Sequence, residues 1–199
     1  MTEIYELMSA LGYRIIQDTE YLDVYGGSTD EYKDVCIRMQ YEDDCFYFYL
    51  INRGKKTEKG FEEDMGTAFI KLYILCRSIY DPSPDQLPCL DIRAAVKRND
   101  YSAAEDLIRA EVSDDFFSTK DIDPDRICLL IERDKGTALY QGKTIEKSMS
   151  LGRAFIVLFN CARWLKRFRS IYDDLSAKTG SVPEYDTLAY IYIFEELPE

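Results

Sequence analysis

The chain contains no histidine at all, and that absence removes both the commonest general base and the usual imidazole metal ligand. Ser-His and Cys-His nucleophilic arrangements and most zinc chemistry are excluded with it. No GxGxxG occurs, and no GxxxxGK followed by Ser or Thr. The one double glycine, Gly26-Gly27, fits a hairpin turn better than a phosphate cradle. None of the six cysteines (Cys36, Cys45, Cys76, Cys89, Cys128, Cys161) stands in a CxxC pair. Four of them sit inside apolar runs, the place for reduced, buried thiols and not for a disulfide framework. No apolar run reaches the roughly 18 residues that suggest a membrane span, and MTEIYELMSALGYR at the start has no basic segment followed by a long apolar stretch. A cytoplasmic protein without membrane contact is the expectation.

What the chain does have is acid. Its 199 residues carry 37 acidic against 25 basic side chains, a formal charge of -12. Such a surface repels nucleic acid and anionic lipid and attracts basic partners. The 46% hydrophobic and 14% aromatic content is enough for one large core or two small ones. The charge is uneven: residues 1 to 50 hold eleven acids and only three bases (Arg14, Lys33 and Arg38).

A repeat organises the rest. GTAFIKLYILCR (66–77) and GRAFIVLFNCAR (152–163) align at a shift of 86, with Gly66, Ala68, Phe69, Ile70, Leu72 and Arg77 on Gly152, Ala154, Phe155, Ile156, Leu158 and Arg163. The apolar stripes predict two core helices, and Gly66 and Gly152 are expected to let another backbone approach each helix start. LINRGK at 50–55 and LIERDKG at 130–136 reinforce the match just upstream. The pattern predicts an α+β fold of two related halves, each an antiparallel sheet covered by helices: residues 1–80, a proline-rich linker at 81–88, and residues 89–199. In the first half a short helix stopped by Gly12 precedes strands at YRIIQ, YLDVY, DVCIRMQY and CFYFYLINR, then a helix over about 61–80. The second half reads as two short helices, a hairpin at RICLLIERD and TALYQG, a long helix over about 144–178 ended by Gly180, and a last strand, TLAYIYIFEE.

Four constellations invite chemistry. Asp121, Asp123, Asp125 and Glu132 match the acidic spacing of a calcium loop, but Pro124 and Arg126 occupy positions where that loop needs other residues, so a solvated turn is the better reading. Adjacent carboxylates such as Asp114-Asp115 diverge along a chain and do not by themselves make a catalytic pair. RWLKRFR (163–169) interleaves basic residues with Trp164, Leu165 and Phe168 at core spacing, the pattern of a solvated helix side. No catalytic residue, metal or cofactor is therefore assigned, and the protein is not expected to be an enzyme. The fourth constellation is the acidic first half, whose tyrosines Tyr21, Tyr25, Tyr32, Tyr41, Tyr47 and Tyr49 stand among carboxylates. Such a surface grips lysine and arginine through hydrogen bonds and cation–π contacts. Asp30, Glu31, Glu42, Asp43, Asp44, Tyr47 and Tyr49 are the expected partner-binding residues, on two turns expected at neighbouring sheet ends.

A small acidic α+β protein with aromatic strands and a hairpin such as CFYFYLINRGKKTEKGFEE running into a helix resembles the immunity proteins of bacterial polymorphic toxin systems. The resemblance implies a protein that binds a cognate toxin domain and occludes its active site; a basic toxin, such as a nuclease, would match the acidic face. Two other classes stay open at this point: a small-molecule-binding protein or small enzyme with a pocket between the halves, and a structural adaptor. The oligomeric state is left open.

Overall fold

In the computed structural model, residues 2–27, 34–82, 88–180 and 182–198 are described. The fold is α+β. A helix α1 (Thr2–Ala10) precedes strands β1 (Arg14–Gln17), β2 (Tyr21–Tyr25), β3 (Val35–Glu42), β4 (Cys45–Asn52) and β5 (Lys55–Glu62), which pair antiparallel in sequence order. Helix α2 (Met65–Tyr80) follows, then α3 (Pro88–Lys97) and α4 (Tyr101–Glu111). A second sheet, in the order β6 (Phe117–Ser118), β7 (Ile127–Glu132), β8 (Lys135–Tyr140) and β9 (Lys143–Ser150), leads into the 29-residue α5 (Leu151–Thr179) and finally α6 (Tyr185–Phe194). The β6–β7 pairing is parallel and the others are antiparallel.

The chain divides into two compact units, Met1–Pro82 with Tyr172–Glu199, and Ser83–Ile171. Residues 172–198 thus group with the first unit, and α6 packs on α2 there. TLAYIYIFEE is a helix and not a strand. Leu188, Ala189, Ile191, Tyr192 and Ile193 are all buried. A helix buried on most sides shows no apolar-polar period, and its continuous apolar run is then indistinguishable from a buried strand.

Both long helices start later than their composition suggests. Residues 55–62 and 143–150 are strands, and each is an edge of its sheet. Lys55, Lys56 and Lys59 on one edge, like Lys143 and Lys147 on the other, look helix-forming but suit an edge that must not pair further. Helix α2 begins where the Asp64 carboxylate accepts the Thr67 N–H at 2.8 Å. Gly12 (φ 78) and Gly180 (φ 70) end α1 and α5 in the left-handed region, as the sequence predicts. The expected backbone approach at Gly66 and Gly152 does not occur: a Cβ on Gly152 would meet nothing within 4 Å. Close approach falls instead on Gly136, where a Cβ would sit 2.5 Å from that of Ala154.

In each unit a three-strand antiparallel meander runs into a long helix, β3-β4-β5 into α2 and β7-β8-β9 into α5. The last hairpins share local geometry. Each turns through two left-handed residues, Arg53 (φ 48) and Gly54 (φ 77) or Gln141 (φ 49) and Gly142 (φ 75). Six positions after each turn glycine comes another left-handed residue, Gly60 (φ 122) or Ser148 (φ 55), where the strand pairing slips. Glu58-Lys59-Gly60 and Glu146-Lys147-Ser148 occupy these bulges. That match escapes a constant shift of 86 because the first unit has two more residues before its helix. Conversely, LINRGK and LIERDKG are not equivalent: the first spans the β4–β5 turn and the second the β7–β8 turn, one hairpin earlier.

Candidate functional site

The five-stranded sheet has one face against its helices and one turned away. Leu22, Val24, Ile37, Met39 and Phe48 point inward and are buried. Residues paired across an antiparallel ladder share a face, so the register places Tyr21 with Gln40, Asp23 with Arg38, Gln40 with Tyr47, Arg38 with Tyr49 and Tyr47 with Phe61 on the outer side. Tyr47 and Tyr49 are thus not packed between sheet and helix.

Their partners on that face are resolved in detail. Tyr47 stacks against Tyr49 with ring centroids 6.4 Å apart and packs at a tilt against Phe61 at 5.8 Å. Three tyrosines already carry a cation of this chain: Arg38 lies 3.8 Å over Tyr21, Lys56 3.5 Å over Tyr49 and Arg14 4.5 Å over Tyr25. Lys56 also donates to Gln40 Oε1 at 3.1 Å. The middle of this face is therefore close to neutral in charge, and the acidity sits elsewhere.

It sits at one end of the sheet. Asp43 (φ 50) and Asp44 (φ 62) form the two-residue β3–β4 turn, where aspartate tolerates the left-handed backbone that this turn type requires. The Tyr41 hydroxyl donates to Asp44 Oδ1 at 3.0 Å. Beside the turn, burial pushes the Cys45 thiol up, and the fields of Glu63, Asp44, Asp43 and Glu62 push it further. The Tyr47 phenol is likewise held protonated, first by burial and then by Cys45, Asp43 and Glu42. The β1–β2 turn, with Asp18 and Glu20, reaches the same end, since Tyr41 N–H donates to the Glu20 carbonyl at 3.1 Å. Glu62 is already committed: it accepts from Lys71 and from the backbone N–H groups of Glu63 and Asp64. Asp18, Glu20, Glu42, Asp43, Asp44 and Glu63 remain as the outward charge of this end.

Of the expected site residues, the structure brings together Glu42, Asp43, Asp44 and Tyr47, with Tyr49 behind them under Lys56. Asp30 and Glu31, like Tyr32, lie outside the described residues. The strand ends flanking them, Tyr25 and Val35, stand at the far end of the eight-residue β3 from Glu42, roughly 23 Å away at about 3.3 Å per residue. Successive strand ends of a meander alternate, so the described strand ends that flank Asp30 and Glu31 do not stand beside the Asp43-Asp44 turn. Asp18 and Glu20 are the acids brought to the end that carries Asp43 and Asp44, a placement set by the β1–β2–β3 pairing and not by spacing along the chain.

Inside this end lies an open groove of about 590 Å³, lined from α1, the β1–β2 turn, β2, β3, β4 and α2. The remaining candidates resolve without a site. Asp123 accepts the Asp125 N–H at 3.0 Å and pairs with Arg126 at 3.2 Å, an ordinary polar turn. Among the described residues no group of three or more acids or cysteines is placed to hold a metal ion. In the basic island, Lys166 donates to the Glu111 carbonyl at the end of α4, while Leu165 and Phe168 are buried. None of the six cysteines is joined in a disulfide, and five are buried. Among the described residues no helix is long and apolar enough to cross a membrane.

No family model matches the chain, and neither the curated proteins nor the solved structures contain a match to it. The functional argument therefore rests on the geometry above.

Proposed function

We propose that the protein binds and neutralises a basic protein partner, in the manner of an immunity protein against a toxin domain, through the acidic end of its first sheet. The observation that carries this reading is the convergence of Asp18 and Glu20 with Glu42, Asp43 and Asp44 on two adjacent turns beside Tyr41 and Tyr47. Carboxylates grouped at one sheet end steer a cationic partner, and protonated phenols beside them donate hydrogen bonds and present apolar area for a buried contact. A nuclease toxin, whose substrate site is basic, fits this surface.

The test is affinity capture of the partner from the native cell, followed by association kinetics across a salt series. The expected result is a partner with a basic contact face whose on-rate falls with ionic strength and falls again for Asp43→Lys or Asp44→Lys. Binding insensitive to salt and to both substitutions would leave the acids as a solubility feature only. A second reading, a small-molecule-binding protein, draws on the groove of about 590 Å³, a size ordinary for ligand sites.

A further inference from the structure

The groove has a definite chemistry. Its floor is apolar: Leu22, Met39 and Phe69 are exposed by only 4%, 5% and 6%. Its walls are two aromatic pairs, Tyr5 with Phe69 at 5.4 Å between centroids and Tyr41 with Phe46 at 5.0 Å. Its rim is unusually open for such residues, with Tyr41 53% and Met65 44% exposed. Among the described residues lining it, two are acids, Asp18 and Glu20, and none is basic. Asp18 is held ionised first by the Thr19 N–H and then by its hydroxyl. Tyr41 joins the groove to the acidic turn through its bond to Asp44.

We infer that this groove receives a large apolar side chain, aromatic or long aliphatic, from a basic segment of the partner. This rests on the binding reading above and specifies its anchor. Two methionines at floor and rim adapt to more than one anchor shape, while a desolvated pocket ringed by polar contacts is where interface energy concentrates. The occupant is basic because Asp18 and Glu20 line the groove and Asp44 is tied to its rim through the Tyr41 hydroxyl. An acidic or neutral segment would leave them without compensation or place like charges together. The cations of the outer face are already stacked on Tyr21, Tyr25 and Tyr49, so the groove adds an apolar contact to the one that Tyr47 and Phe61 present on that face.

The experiment uses the full chain and three end-labelled synthetic peptides read by fluorescence anisotropy: one with lysine and arginine flanking a central tryptophan, one with the same flanks and a central alanine, and one with uncharged flanks and a central tryptophan. The basic tryptophan peptide is expected to bind about tenfold or more tightly than the basic alanine peptide. Met65→Lys, at the rim, erases that preference, and Tyr41→Ser, also at the exposed rim, serves if Met65→Lys is poorly folded by circular dichroism. Asp43→Lys weakens both basic peptides alike. Equal, salt-dependent binding of the two basic peptides overturns the anchor and leaves the acidic-end reading standing. Equal binding of the charged and uncharged tryptophan peptides overturns the basic occupant in favour of a small apolar ligand. Failure of every peptide also overturns the inference, and sedimentation then shows whether a second copy fills the groove. Conversely, a captured partner insensitive to salt and to Asp43→Lys, with the tryptophan preference intact, sinks the acidic-end reading and not the groove.

Discussion

Arg38 grips Asp23 across the β2–β3 ladder with two hydrogen bonds of 2.7 Å, Nε to Oδ1 and Nη2 to Oδ2, while its guanidinium lies 3.8 Å over the Tyr21 ring. Asp23 is only 4% exposed, so without this fork its carboxylate would be buried without its cationic partner. Replacing arginine alone strands a buried carboxylate, whereas replacing both partners removes the desolvation cost with the attraction. Arg38→Met is expected to destabilise by about 1–3 kcal/mol, discounted because Arg38 is partly solvated, and Asp23→Leu with Arg38→Met together by much less. Urea unfolding of the two single variants and the pair measures the coupling. Additive losses would show that the fork carries no shared energy.

Two glycines of the second unit separate packing from propensity. Gly136 stands against Ala154 and Leu129, where a Cβ would lie 2.5 and 3.0 Å from their side chains, whereas Gly152 on α5 faces open space. Gly136→Ala is expected to cost about 1–3 kcal/mol through overpacking, and Gly152→Ala to stabilise by about 0.5–1 kcal/mol through helix propensity and a more restricted unfolded chain. Thermal or urea unfolding decides it. The opposite order of stabilities would mean that Gly152, and not Gly136, is the contact position.

How much of this was legible depends on where each segment lies in the fold. The strands facing a core on one side, YLDVY and DVCIRMQY, read correctly from their β-branched and aromatic residues, although Val35-Cys36-Ile37 breaks the alternation. The glycine stops at Gly12 and Gly180 hold, while α2 is a helix as expected but begins at Met65 and not near 61. Edge strands β5 and β9 carry lysines to protect the edge, and helix α6 is buried too evenly to show a period, so both mislead for physical reasons. At the site, Asp43-Asp44 and Tyr47 were readable as a turn and its following strand. The groove was not, because Tyr5, Met39, Tyr41 and Phe69 come from three separate elements, α1, β3 and α2, that only the tertiary fold assembles.

Two glutamates give opposite pH signatures. Burial pushes the Glu62 carboxyl up, but the bonds from Lys71 and the backbone N–H groups of Asp64 and Glu63 outweigh it and hold it below the usual carboxylate range. Its stabilising contribution is present above the ordinary glutamate value and is lost as pH falls through the folded one. Glu195 is the reverse: burial pushes it up, only partly offset by Lys59, so its ionisation opposes folding once pH exceeds the ordinary value. Unfolding free energies at neutral and acid pH should therefore show Glu62→Gln less stable than the parent at neutral pH, and Glu195→Gln more stable there. Both differences shrink towards zero in acid. Differences independent of pH would mean that packing, not ionisation, causes them.

The last prediction separates the two tyrosines of β4. Tyr49 lies beneath its own cation, Lys56 at 3.5 Å, and an incoming lysine or arginine would have to displace it. Tyr47, packed between Tyr49 and Phe61, stands nearer the acidic turn and keeps a protonated phenol. Exposed charges chiefly set how fast a partner arrives, and well-packed aromatic anchors set how long it stays. For the captured partner, Tyr47→Ala should raise the off-rate and cost about 2 kcal/mol or more, while Tyr49→Ala costs less than about 1 kcal/mol. Lys56→Ala uncovers Tyr49 and removes one positive charge, so the on-rate rises and the rise fades at high salt. Surface plasmon resonance across a salt series reads all three. No loss for either tyrosine, with no effect of Lys56→Ala, would mean that the partner does not reach the outer face and that the contact is confined to the turns.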